Sequence, residues 1–135
     1  MTRFLMKAYY VLTVPISILF ILSSKSIHPS YRMSLLKKFQ LGFRMFFNKH
    51  RIQTGTSYKS HLAMALKILE TPPEILGYII ECGTWKGGCA ANLSLVCKIV
   101  GRKLQIYDSF EGLPAGELSD REAKGYKKGD YFGPL

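Results

Sequence analysis

Acidic residues are missing from the first half of this chain of 135 residues: no Asp or Glu precedes Glu70. Residues 1–69 carry 11 of the 19 Lys and Arg, which makes that part +11. Residues 70–135 hold the other 8 bases and all 9 acids, which makes that part −1. The net charge of +10 is therefore an average over two physically different pieces. Cysteine is scarce too. Cys82, Cys89 and Cys97 are odd in number and none pairs as Cys-x-x-Cys, which argues against a disulfide framework and a zinc centre. They read as small buried residues in a reducing compartment. The basic half lacks zinc spacing, an RNP-like motif and a helix-turn-helix, so nucleic acid is not the expected partner. A membrane surface suits it better, because anionic headgroups attract Lys and Arg while apolar residues enter the interface. Internal repeats and low-complexity segments are absent. No Asp-x-Asp-like cluster occurs, so no metal site is expected in these residues. His28, His50 and His61 are scattered, and none is expected to act as a general base.

Long apolar sequence is concentrated at the start. Residues 8–24 contain no charge, and adding Phe4–Met6 extends the run across 4–24 with only Lys7 interrupting it. About 20 apolar residues can span a bilayer as a helix, and membrane helices tolerate a kink such as Pro15 would give. The expectation is a membrane anchor. Its rivals are a helix buried on, or forming a lid over, a globular domain, and a cleaved signal peptide. Lys25, Arg32, Lys37, Lys38 and Arg44 follow the run and outnumber the bases before it, which keeps the C-terminal side in the cytoplasm. Three pieces follow: a hydrophobic helix over 1–25, a basic amphipathic segment over 26–53, and a domain over 54–135. In the second piece Leu35, Leu36, Phe39, Phe43, Phe46 and Phe47 recur at roughly helical spacing, with Lys37, Lys38, Arg44 and Lys49 between them. Such a helix lies on a membrane, caps a pocket or packs on the domain. Gly42 weakens it, since glycine inside a helix costs roughly 1 kcal/mol relative to alanine.

The third piece opens on the polar loop Gln53–Ser57, whose Thr56 or Ser57 can cap the next helix. His61, Leu62, Ala65, Leu66 and Leu69 give that helix one buried face, and Thr71-Pro72-Pro73 ends it. Tyr78–Cys82 is a short β-rich run that reads as a buried strand. Gly83–Gly88 is a glycine-rich turn. Cys89–Val100, free of Pro and Gly, reads as a helix with Gly101 at its C-cap. Lys103–Asp108 reads as a second strand. Strand, glycine turn, helix and strand form the opening βαβ unit of a doubly wound parallel sheet.

This order brings Glu81 and Asp108 to the carboxyl ends of adjacent parallel strands, where ligands bind in open α/β sheets. Gly83 lets a ligand lie close to the backbone, and Gly87 and Gly88 let the helix start near the strand. Asp108 follows Glu81 by 27 residues, about the separation at which an acid meets the two hydroxyls of an adenosine ribose. Glu81 can balance a cationic amino group. The loop reads E-C-G-T-W-K-G-G instead of G-x-G-x-x-G, so a pyrophosphate cradle is less well supported.

The run Asp108-Ser109-Phe110-Glu111-Gly112-Leu113-Pro114, with I-I-E-C-G-T-W-K-G-G upstream, resembles the TylF/MycF (macrocin O-methyltransferase-like) family over about 54–135. That resemblance implies a Rossmann-like class I methyltransferase fold with S-adenosylmethionine as methyl donor. It implies that Glu81, Gly83, Thr84, Trp85, Gly87 and Gly88 line the methionine end of the cofactor. Asp108 would hold the ribose, with Ser109 and Phe110 beside ribose and adenine. Thr56, Ser57 and Tyr58 match loosely a loop that closes on the cofactor, and Gly129–Phe132 matches a segment leading to the next helix. The implied acceptor is a hydroxyl of a small molecule, a sugar or a glycan, and a homo-oligomer is admitted. Family members need Mg2+, whose ligands would lie beyond Leu135. The chain is accordingly expected to be the N-terminal half of a transferase, inactive by itself. Two other readings stay open: a non-catalytic membrane-associated protein with a vestigial nucleotide fold, and a nicotinamide-dependent oxidoreductase half-domain.

Overall fold

Two serines start two helices by the same device. The structure, a computed structural model, describes residues 14–112. Ser34 Oγ accepts from the N–H of Lys37 at 3.3 Å and begins helix α2, Leu35–Arg51. Ser57 Oγ accepts from the N–H of Ser60 at 3.0 Å and begins α3, Tyr58–Glu70. Each satisfies a backbone donor that a helix start leaves without a partner. Before them lies α1, whose described part covers residues 14–23, then a short 3-10 turn, Pro29–Tyr31. After α3 come strand β1, Ile79–Cys82, helix α4, Gly88–Val100, and strand β2, Leu104–Tyr107. Gly101 caps α4 in the left-handed region, φ 70°, as the sequence leads one to expect.

β1 and β2 pair in parallel, Ile79 opposite Leu104 and Cys82 opposite Tyr107. α4 makes the crossover, so the predicted βαβ unit is present and the fold is mixed α/β. The core lies between the helices. Leu41 and Met45 of α2, Leu62, Leu66 and Leu69 of α3, and Leu93 and Val96 of α4 form one buried cluster. Ile21 of α1 joins it with no exposed surface.

That burial concerns the second half of the membrane-spanning helix expected over 4–24. Residues 4–13 lie outside the described residues. From residue 14 on, α1 ends by residue 23 and packs on the domain through Ile18 and Ile21. No helix among the described residues is long and apolar enough to cross a membrane. Gly42 lies at this contact: a Cβ there would meet Ile21 Cγ2 at 3.7 Å, Ile18 Cγ1 at 3.9 Å and Tyr58 Oη at 3.4 Å, all ordinary van der Waals distances. Its carbonyl also accepts from the Tyr58 hydroxyl at 2.7 Å.

The helix expected over the basic amphipathic segment forms, and the face it buries is Lys38, Leu41, Gly42 and Met45. Leu35, Leu36, Phe39, Phe43 and Phe47 point away from the core and are exposed. Lys38 is buried because its ammonium donates to the carbonyls of Leu22, at 3.4 Å, and Ser24, at 2.6 Å, at the end of α1. A cation is favourable there, beside the negative end of a helix.

Candidate functional site

A cleft of about 1000 Å3 opens at the carboxyl ends of β1 and β2. Of the residues read from the sequence, Glu81, Gly83, Thr84, Trp85, Asp108 and Ser109 line it. Gly87, Gly88 and Phe110 are not among its walls.

Parallel pairing places Glu81 opposite Ile106 and leaves Asp108 just past the end of β2. Gly83, φ 80°, takes a backbone shape that suits glycine, and a Cβ there would meet open space. Its N–H still donates to the Tyr107 carbonyl at 2.8 Å, continuing the ladder one step beyond the strand. Trp85 has a positive φ of 50°, which is unusual for a residue with a side chain. Asp108 accounts for it. Asp108 Oδ2 accepts from the successive N–H groups of Thr84, at 2.5 Å, and Trp85, at 3.0 Å. Asp108 Oδ1 accepts from the N–H of Phe110 at 2.7 Å, across another positive φ of 57°. The carboxylate thus ties the loop after β1 to the loop after β2. These three bonds hold its pKa below the ordinary value, the Phe110 N–H contributing most. A carboxylate has about four acceptor positions, so one remains for a ligand.

Glu81 is nine-tenths buried. Burial raises its pKa, the Cys89 thiol lowers it by donating a hydrogen bond, and the charge of Asp108 raises it again. Its Oε2 is buried without a partner, and so is the Thr84 hydroxyl beside it. A buried acceptor without a donor costs on the order of 1–3 kcal/mol, more for a charged group. Lys86 does not supply the donor. Its ammonium bonds Gln53 Oε1 at 2.6 Å and lies 5.4 Å from the centre of the Trp85 ring. Cys89 is no nucleophile: burial, with the charge of Glu81, pushes its thiol up to about 12. Cys82 is exposed, contrary to the small-buried-residue reading, whereas Cys97 is buried.

Gly87 caps α4 with φ 78°. Gly88 has another purpose than the sequence suggests. A Cβ there would lie 2.8 Å from the Gln53 carbonyl and 2.8 Å from Thr54 Cβ. Its bare backbone admits the loop over 52–57 to the helix start, and this loop brings Thr54, Gly55 and Thr56 to the cleft wall. Ser57 and Tyr58 serve elsewhere, as helix cap and buried anchor.

The sequence reading missed the group that holds this loop. His61 is fully buried in α3. Asn92 Nδ2 donates to the Met45 carbonyl at 3.2 Å and to His61 Nδ1 at 2.7 Å. His61 Nδ1 therefore accepts, and Nε2–H is left to donate to the Thr56 hydroxyl, with Thr54 Oγ1 at 3.4 Å. Burial and the charge of Lys49 push the His61 pKa down to about 4, so the ring is neutral. Helical spacing marked His61 as buried, but only the contact with Asn92 shows what it holds. The described residues contain no group of three or more His, Cys, Asp or Glu that could hold a metal ion. Leu113, Pro114 and Gly129–Phe132 lie outside the described residues.

A βαβ unit with a buried carboxylate at the carboxyl end of its first strand defines an α/β protein with an open cleft at that end. The family described as Macrocin-O-methyltransferase (TylF) matches residues 52–132, and the chain belongs to that family. Membership implies O-methyltransferase activity in general. No curated protein and no solved structure gives a significant match.

Proposed function

We propose that the cleft holds S-adenosylmethionine, that the βαβ unit opens a Rossmann-like sheet, and that the methyl acceptor is a hydroxyl of a small molecule, sugar or glycan. The observation that carries this reading is the unpartnered, buried Glu81 Oε2 in the cleft. An ammonium group supplies the cationic donor that this oxygen lacks. The Thr84 hydroxyl suits the cofactor's carboxylate, and the open space over Gly83 lets the ligand approach the backbone. The remaining acceptor position of Asp108 suits a ribose hydroxyl, and Trp85 and Ser109 form walls.

The same geometry disfavours a dinucleotide. Glycine loops grip a diphosphate with converging backbone N–H groups. Here the N–H groups of Thr84 and Trp85 are already given to Asp108.

When bound, the cofactor supplies an electrophilic methyl on sulfur. The contribution of the chain is to fix the amino-acid and ribose ends, so that the acceptor meets the methyl in one orientation. The test is calorimetric titration of S-adenosylmethionine, S-adenosylhomocysteine and NAD. The two sulfur ligands are expected to bind and NAD not. Glu81→Gln is expected to weaken both by about tenfold or more, the scale of a charge-assisted hydrogen bond. Unchanged affinity in that variant would remove Glu81 from the site.

A further inference from the structure

The outer face of α2 is apolar where a surface helix should be polar. Leu35 and Leu36 are 69% and 65% exposed, and Phe39, Phe43 and Phe47 are 43%, 45% and 41% exposed. The three phenylalanines recur every four residues and form one ridge. Phe39 stacks on Phe43 at 5.8 Å between ring centres, and Phe43 meets Phe47 edge-on at 4.7 Å. Beside the ridge, Lys37, Arg44 and Arg51 recur every seven residues and form a second row, also exposed. Among the described residues the one salt bridge is Lys67–Glu70, so this row has no acidic partner there. On the far side of the row, Lys37 and Arg44 meet Lys98 of α4 around a shallow cavity of about 400 Å3. None of its lining residues is acidic.

We infer that this face of α2 docks on an anionic phospholipid surface. The Phe39–Phe43–Phe47 ridge enters the interface, and headgroup phosphates meet Lys37, Arg44 and Lys98. An interfacial helix has this composition: aromatic and aliphatic residues on one strip, cations along its border. The chain adds complementary charge, since no acid precedes Glu70. A second copy is the poorer occupant. Pairing two such faces would set the rows of cations against each other with no acid on α2 to relieve them. The proposal is independent of methyl transfer and differs from a spanning anchor, because it uses α2 and not residues 4–24.

Flotation of the whole chain with phosphatidylcholine vesicles, with and without phosphatidylserine, tests it. Binding is expected to vesicles containing phosphatidylserine, to fall with added salt, and to be weak on phosphatidylcholine alone. Each cation near the surface is worth about fivefold in affinity, so Lys37→Glu with Arg44→Glu should weaken binding by about thirtyfold or more. Phe39→Ser with Phe43→Ser should weaken it independently. All four side chains are exposed, and far-ultraviolet circular dichroism checks that the fold is kept. Lys98→Glu, on another helix, repeats the charge test if an α2 variant misfolds. Three results would overturn the proposal. One is equal binding to both vesicle types. Another is binding untouched by the variants, which would place attachment outside α2. The last is no vesicle binding, whether or not sedimentation shows a dimer that the phenylalanine substitutions dissolve.

Discussion

Lowering the pH below neutrality should destabilise this fold through one buried histidine. His61 titrates near 6.5 when unfolded and near 4 when folded, because it is buried and Lys49 is close. Between those values the unfolded chain binds a proton that the folded chain refuses. Stability therefore rises with pH in this window: it is fully present above 6.5 and is lost progressively as pH falls toward 4. At about 1.4 kcal/mol per pH unit the shift amounts to about 3 kcal/mol. The structural cause is specific. A proton on Nδ1 would face the amide donor of Asn92, which the Met45 carbonyl holds in place. Urea unfolding of the wild type and of His61→Gln, followed across this window, is the assay. The variant should be less stable at neutral pH and should lose the rise of stability with pH that His61 contributes between the two pKa values. Equal pH slopes in both proteins would refute the assignment of this titration to His61.

Other outcomes are expected. Gly88→Ala forces a Cβ against the Gln53 carbonyl and should cost about 1–3 kcal/mol, read as a lower urea midpoint, while Gly83→Ala meets no neighbour but strains φ. Timed alkylation read by mass spectrometry should label exposed Cys82 first, and Cys89 and Cys97 only on unfolding; early labelling of Cys89 would contradict its high pKa. Asp108→Asn turns an amide toward backbone N–H donors and should lower the melting temperature even without ligand. A drop seen only with ligand bound would make Asp108 a ligand contact alone. Cofactor affinity should fall at acid pH as Glu81, whose pKa burial raises, takes up a proton and loses its pull on an ammonium.

The local signals in the sequence carried well where they depended on the backbone alone. Ser57 caps a helix, Gly101 ends one, and the order around Gly83–Gly88 encodes a βαβ unit. The sequence left open which of two apolar faces is buried. α2 has aliphatic and aromatic residues on both sides. The richer side stays outside, while Leu41, Gly42 and Met45 pack inward. Lys38 reads as a surface base and is buried, because its carbonyl partners come from another helix. Within the site, Glu81 and Asp108 were legible as acids at strand ends. The full engagement of Asp108 by backbone donors was not, since it depends on the positive φ of Trp85 and Phe110. The His61–Asn92–Thr56 chain was invisible for the same reason: 31 residues separate the imidazole from its amide.

Trp85 is the one tryptophan of the sequence, and its indole stands on the cleft wall. All tryptophan emission from the chain therefore originates at the cleft, with no background from the core. A ligand entering beside Gly83 would change that emission directly, giving an optical readout of occupancy that needs neither a label nor turnover.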